Sequence, residues 1–282
     1  MNPTEKKISI HQVDLDNFRS TEDLVAVEEP MEIRLVTGSA DKRRGKGISI
    51  TMRTPGHDHE LAIGFLVAEG VITERKQIQS IDHVGAANEK NEFNTVRIEL
   101  TPETQIDYQD LLRHFYTTSS CGVCGKSSLD ALEYRNLNPI ESDLKIDSDI
   151  VRQLPDSLRK LQDNFQRTGG IHAAGLFNSQ GEILEVKEDV GRHNALDKLV
   201  GTNFLTDNFP LQDSILVVSG RASFELLQKA LVAQIPIFVA VGAPSSMAVD
   251  LALHFKMTLI GFASTKKFNI YSSPERVKRP IN

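Results

Sequence analysis

The sequence predicts a mixed α/β protein: an α/β sheet covered by helices in the C-terminal half, with a smaller α+β part before it. Three observations predict this. From residue 169 onward, short apolar runs rich in Val and Ile alternate with amphipathic segments of helical period, as strands buried between helices do. Before residue 136, strand-like runs surround one long and one short helical segment. A chain of 282 residues, 40% hydrophobic and 25% charged, can bury a substantial core.

Residues 1–25 are polar and unpatterned, and are expected to form a loose arm. "MEIRLV" and "GISITMRTPG" read as strands separated by the basic turn "GSADKRRGKG". Between His57 and Gly70, Leu61, Phe65 and Ala68 recur at helical spacing, and Gly70 supplies a stop. "TVRIELTP" alternates as a strand, and "DYQDLLRHFYTTSS" is a short helix leading into a cysteine loop. Residues 136–150, with Pro139, form a polar connector, the expected boundary between parts spanning 25–135 and 136–282. Beyond it, "GGIHAAGLF" and "GEILEVKEDV" pair around the turn "NSQG", and "HNALDKLVG" is a helix. "SILVVSG", "IPIFVAVG" and "TLIGFAS" are strands, alternating with helices in "ASFELLQKALVAQ" and "SSMAVDLALHF".

The formal charge of −6 argues against general affinity for nucleic acid or acidic membrane. No apolar run is long enough to span a bilayer, and "MNPTEKKISIHQVDLDNF" lacks the apolar centre of a signal peptide, so a cytoplasmic protein is expected.

Both cysteines, Cys121 and Cys124, lie in "TTSSCGVCGKSS". The loop they could close is too small to brace a fold, which leaves a redox pair, a metal clip or a sulfur-handling nucleophile. No carboxylate occurs from Thr117 to Leu129, while Lys126 adds positive charge and Gly122 and Gly125 let backbone N–H groups approach a sulfur anion. This suits a thiolate or persulfide. A thioredoxin-like dithiol would open a helix directly after a strand, whereas here a helical segment precedes the motif. Structural zinc needs four ligands; histidines, or two chains pooling four thiolates, would have to complete the set.

Loops after the C-terminal strands share one design. "SILVVSGRASFE" runs from strand through glycine and Arg221 to a serine-capped helix, an arrangement that can hold phosphate. "GAPSSMAVD" repeats it with Ser245 and Ser246. His172 sits in an apolar strand, by default a hydrogen-bonded core histidine. His193 is open to three roles: general acid/base, phosphate donor or structural group. Zinc deaminases carry His-x-Glu followed by Pro-Cys-x-x-Cys. Here the cysteines precede His172 and Ala174 stands in the glutamate's place, so neither deaminase activity nor bound zinc is expected.

Taken together, "TPGHDHELAIGFLVAEGVI", "SSCGVCGKSS", "TGGIHAAGLF", "EDVGRHNALDK", "SGRASFELLQKA", "GAPSSMAVDLA" and "TLIGFAS" resemble the FdhD family, the formate dehydrogenase accessory sulfurtransferases. The likeness runs from about Val25 to Tyr271. It implies that a cysteine desulfurase loads sulfane sulfur onto Cys121, assisted by Cys124, for transfer to the Mo-bis-molybdopterin guanine dinucleotide destined for formate dehydrogenase. It also implies a homodimer, a cytidine-deaminase-like fold in the C-terminal part without the zinc site, and a cofactor segment at Phe262, Ala263, Ser264, Thr265, Lys266 and Lys267. Guanine nucleotides would mimic the cofactor there, with Arg221 and Ser245 near the phosphates. The family's segment often carries glycine and arginine where this chain has two lysines, which keep the charge without the bidentate fork. A noncatalytic cofactor chaperone and a dithiol oxidoreductase are the alternative readings.

Overall fold

The computed structural model describes residues 4–15, 17–39, 41, 43–85, 93–104, 106 and 137–279. The helix expected over 107–120 and the loop holding Cys121 and Cys124 lie outside them.

The N-terminal arm is a hairpin rather than a loose segment. Strands β1 (Glu5–Asp14) and β2 (Asn17–Ala26) pair antiparallel, from Glu5 opposite Ala26 to Asp14 opposite Asn17. Neither strand buries a full face, so no alternating apolar pattern marks it in the sequence. Its base is fixed by Thr4 Oγ1 donating to Asn164 Oδ1 (3.2 Å) and by an Arg167–Glu5 ion pair (3.1 Å).

Four strands, β3 (Glu29–Thr37), β4 (Arg44–Arg53), β5 (Ile78–His83) and β6 (Thr95–Leu100), form a sheet of order β4-β3-β6-β5. Its parallel pair, β3 with β6, turns Met31, Ile33, Leu35, Val96, Ile98 and Leu100 inward, while Arg34, Arg97 and Glu99 alternate with them on the other face. Helix α1 (Asp58–Ala68) packs against this inner face.

A short parallel ladder joins β7 (Ile146–Asp147) to the C-terminal β14 (Val277–Lys278). Helices α2 (Ser148–Lys160) and α3 (Asp163–Thr168) follow β7. Pro155 inside α2 hides its apolar stripe of Val151, Leu154 and Leu158 from a sequence reading.

The larger sheet contains β8 (His172–Phe177), β9 (Ile183–Asp189), β10 (Ile215–Val218), β11 (Ile237–Ala240), β12 (Thr258–Gly261) and β13 (Asn269–Ser272). Their order is β13-β12-β11-β10-β8-β9, with β10, β11 and β12 parallel and β8 antiparallel to β10. Helices α4 (Arg192–Leu205), α5 (Phe224–Val232) and α6 (Ser246–His254) connect them. Both faces are covered, which is why β10 to β12 are continuously apolar rather than alternating. Leu216 and Val218 face the core shared with α1, α4, α5 and the smaller sheet; Ile215 and Val217 face α2.

Where α1 crosses α4, the backbones nearly touch. A Cβ on Gly64 would sit 1.8 Å from the Asp197 carbonyl oxygen, and one on Gly201 1.8 Å from that of Glu60. Glycine at both positions sets the spacing between the two halves of the chain. The same crossing carries buried charge: Lys229 Nζ donates to both carboxylate oxygens of Asp197 at 2.8 and 3.0 Å.

Candidate functional site: a cation-bearing edge

Because β10, β11 and β12 are parallel, their C-terminal ends emerge together, and the loops that follow are joined by backbone hydrogen bonds. Gly242 N donates to Gly220 O (3.0 Å), Ala222 N to Ala243 O (3.1 Å), Ser245 N to Ala222 O (3.0 Å) and Phe262 N to Gly242 O (3.0 Å). The packing is close enough that a Cβ on Gly242 would lie 2.9 Å from Arg221 Cγ and 3.1 Å from its Cα. Arg221, Ser245 and the 262–267 segment thus share one edge, the position at which open α/β sheets bind ligands.

Each predicted residue has a definite place there. Ser245 caps α6, its Oγ accepting from Ala248 N at 3.2 Å. Phe262 is half exposed in left-handed backbone (φ 53°), whereas Ala263 is buried and anchored by its N–H to Ala240 O. Ser264 Oγ donates to Lys267 O (2.9 Å) and accepts from Lys267 N (3.3 Å), closing a turn that projects Thr265, Lys266 and Lys267 into solvent. Arg221, Lys266 and Lys267 have no carboxylate partner among the described residues. Three such cations on one loop cluster give it a positive potential that can attract an anion.

Residues the sequence reading left out of the site extend the edge past β10. His172 opens β8, whose antiparallel course brings it beside the end of β10. There Ser219 Oγ accepts from Ala173 N (2.9 Å) and lies 3.5 Å from His172 Nδ1. Burial, then the neighbouring Arg192 and His193, hold the His172 imidazole below its ordinary pKa, which favours the neutral ring. His193 Nε2 contacts Ser223 Oγ (3.3 Å) and Glu225 Oε2 (3.0 Å). That hydrogen bond pulls the Glu225 carboxyl below its usual value. His193 therefore ties the start of α4 to the start of α5. Its neighbour Arg192 has no such contact among the described residues. The motif "EDVGRHNALDK" holds both residues, but their roles depend on which strand lies next to which.

A concavity of about 700 Å³ opens beside β9, away from this edge, and is lined by Thr54, His57, Glu60, His83, Lys187 and Glu188 among others. Its floor rests on two buried ion pairs, Arg53–Asp58 (2.9 Å) and Lys198–Asp189 (2.7 Å). Among the described residues no three His, Cys, Asp or Glu side chains gather as a metal site. No helix there is long and apolar enough to cross a membrane. Ile106 and Leu137, the described residues flanking 107–136, both pack on the main core.

Comparison with known proteins adds three findings. The model of the FdhD/NarQ family matches residues 26–278. Proteins called sulfur carrier protein FdhD are similar over most of their length: one from Streptomyces coelicolor is 48% identical over 90% of this chain and 89% of its own. One from Mycobacterium tuberculosis is 43% identical over 95% and 96%, and one from Picrophilus torridus 43% over 90% and 92%. A crystal structure from Desulfotalea psychrophila, described as a formate dehydrogenase accessory protein, superposes with a TM-score of 0.73. It covers 98% of this chain and 100% of its own at 22% identity, a likeness of fold.

Proposed function

The chain belongs to the FdhD/NarQ family, and on that premise we propose that it is a sulfur carrier and sulfurtransferase serving formate dehydrogenase. In this reading a cysteine desulfurase presents a persulfide and the Cys121 thiolate attacks its outer sulfur. A new S–S bond forms on Cys121, the donor's S–S bond breaks, and the donor cysteine leaves as thiolate. Cys124 assists. The carried sulfur then passes to the metal of Mo-bis-molybdopterin guanine dinucleotide, the substrate. The metal supplies the two electrons that turn sulfane sulfur into sulfide, and Cys121 returns to thiolate. We read the protein as a cytoplasmic homodimer. The order β9-β8-β10-β11-β12 supports a deaminase-like layer, and a core shared by described residues on both sides of residue 136 supports reading the parts 25–135 and 136–282 as one unit.

The observation that carries the reading is the loop edge on which Arg221, Ser245 and Phe262–Lys267 converge without neutralising carboxylates among the described residues. A substrate with two guanine nucleotides brings several phosphates, which that edge complements. Guanosine diphosphate should therefore bind, and Lys266→Ala/Lys267→Ala should weaken it about tenfold and flatten its salt dependence, since screened charge contacts are lost. Calorimetry at two salt concentrations checks this. Unchanged affinity in the double variant would remove the nucleotide from this segment.

A further inference from the structure

At the β8 end of the same edge stands Arg192, whose side chain is half-buried. It is the first residue of α4, its Nε is buried, and that Nε has no hydrogen-bond partner among the described residues. A buried donor left unpaired costs on the order of 1–3 kcal/mol, so such a group in a native fold calls for an acceptor. The neighbouring carboxylates do not provide it: Asp189 is held by Lys198 at 2.7 Å and Glu225 by His193 at 3.0 Å.

Gly220 marks where the groups converge. A Cβ built on it would lie 3.6 Å from His172 Nδ1 and 3.8 Å from Arg192 Cδ, so the loop passes between imidazole and guanidinium stem, next to Arg221. Ser219 Oγ, which accepts from Ala173 N, lies 3.5 Å from His172 Nδ1, so Nδ1 is engaged by the loop and Nε2 is the imidazole nitrogen left for a ligand. The helices starting beside them, α4 and α5, have no side-chain cap on their first turns, so their N–H groups also face this end.

We propose that Arg192, His172 and the open first turns of α4 and α5 form a second anion subsite that takes a pyrophosphate group. It lies about 14 Å, three strand spacings, from the Lys266/Lys267 turn, with Arg221 between. This deepens the reading above: a substrate with two nucleotide arms presents two pyrophosphates, and one edge offers two places for them. The inference rests on that reading for the identity of the substrate, but the pocket is tested with inorganic pyrophosphate alone.

Calorimetric titration of pyrophosphate into the full chain is expected to show binding that Arg192→Gln weakens about tenfold, the loss of a charge-assisted bidentate contact. Arg192→Lys should fall between, because the charge stays and the fork is lost. It also serves as the second variant should the first melt early. His172→Gln, which keeps an N–H at the right reach, should retain more affinity than His172→Leu. Lys266→Ala/Lys267→Ala should lose the other pyrophosphate place and keep this one, so the Arg192 and His172 variants are compared in that background. No pyrophosphate binding by the parent chain, or equal binding with and without Arg192→Gln in the Lys266→Ala/Lys267→Ala background, overturns the subsite, with ordered water then satisfying Arg192. Guanosine diphosphate run in parallel separates the two claims. If pyrophosphate binds and the nucleotide does not, the nucleotide reading falls and the subsite stands. If pyrophosphate binding depends on the lysine pair and not on Arg192, the subsite falls and the reading stands.

Discussion

Glu60 holds its carboxyl at about 2, against an ordinary 4.5, first because His57 hydrogen-bonds to it. His57 itself starts α1 in left-handed backbone (φ 56°), which only a few non-glycine residues tolerate, and its Nδ1 lies 3.4 Å from both Glu60 Oε1 and Lys187 Nζ. A depressed folded-state pKa has a definite sign: the contribution is complete above the unfolded value and disappears as pH falls through the folded one. Glu60→Gln should therefore be less stable than the parent near neutrality, the gap closing as pH drops from 4.5 toward 2. Urea unfolding across that range checks it, and a gap independent of pH would contradict it. At this scale the sequence is only partly legible. Arg221 can be read because it follows a strand and a glycine within one motif. Arg192 cannot, because its nearness to His172 and Gly220 requires β8 to run antiparallel beside β10, a pairing no local pattern encodes.

Helix α1 shows how an element can be right in the sequence and its reason absent. The spacing of Leu61, Phe65 and Ala68 and the stop at Gly70 locate it, and the structure has it at Asp58–Ala68. Gly64 in its middle looks like a propensity defect worth about 1 kcal/mol against alanine. The crossing with α4 reverses that sign. Gly64→Ala and Gly201→Ala each place a methyl inside a facing backbone carbonyl, and overpacking of that kind costs about 1–3 kcal/mol or more. Chemical denaturation should show both variants destabilised; stabilisation by either would mean that the helices can separate freely. The elements the sequence hides have physical causes too. β1 and β2 lack a buried face, and Pro155 interrupts the period of α2. Strands β10 to β12, buried on both sides, are the most legible because nothing polar interrupts them.

For the molecule as a whole, the proposed function assigns sulfur chemistry and substrate binding to separate parts of the chain. The thiols lie in 107–136, and the cations sit on loops after β10 and β12, held in register by the parallel sheet. The α/β alternation makes that edge predictable, since parallel strands must deliver their following loops to one side. The extent of the edge, reaching back to β8, emerges only from the strand order. The central claim is that Cys121 carries the sulfur, and intact-protein mass spectrometry after incubation with a cysteine desulfurase and cysteine tests it most directly. The account predicts a gain of one sulfur, about 32 Da, that reductant reverses. The gain should be lost in Cys121→Ala and kept in Cys124→Ala. Loading of Cys121→Ala to the parent's level, with none on Cys124→Ala, would contradict it.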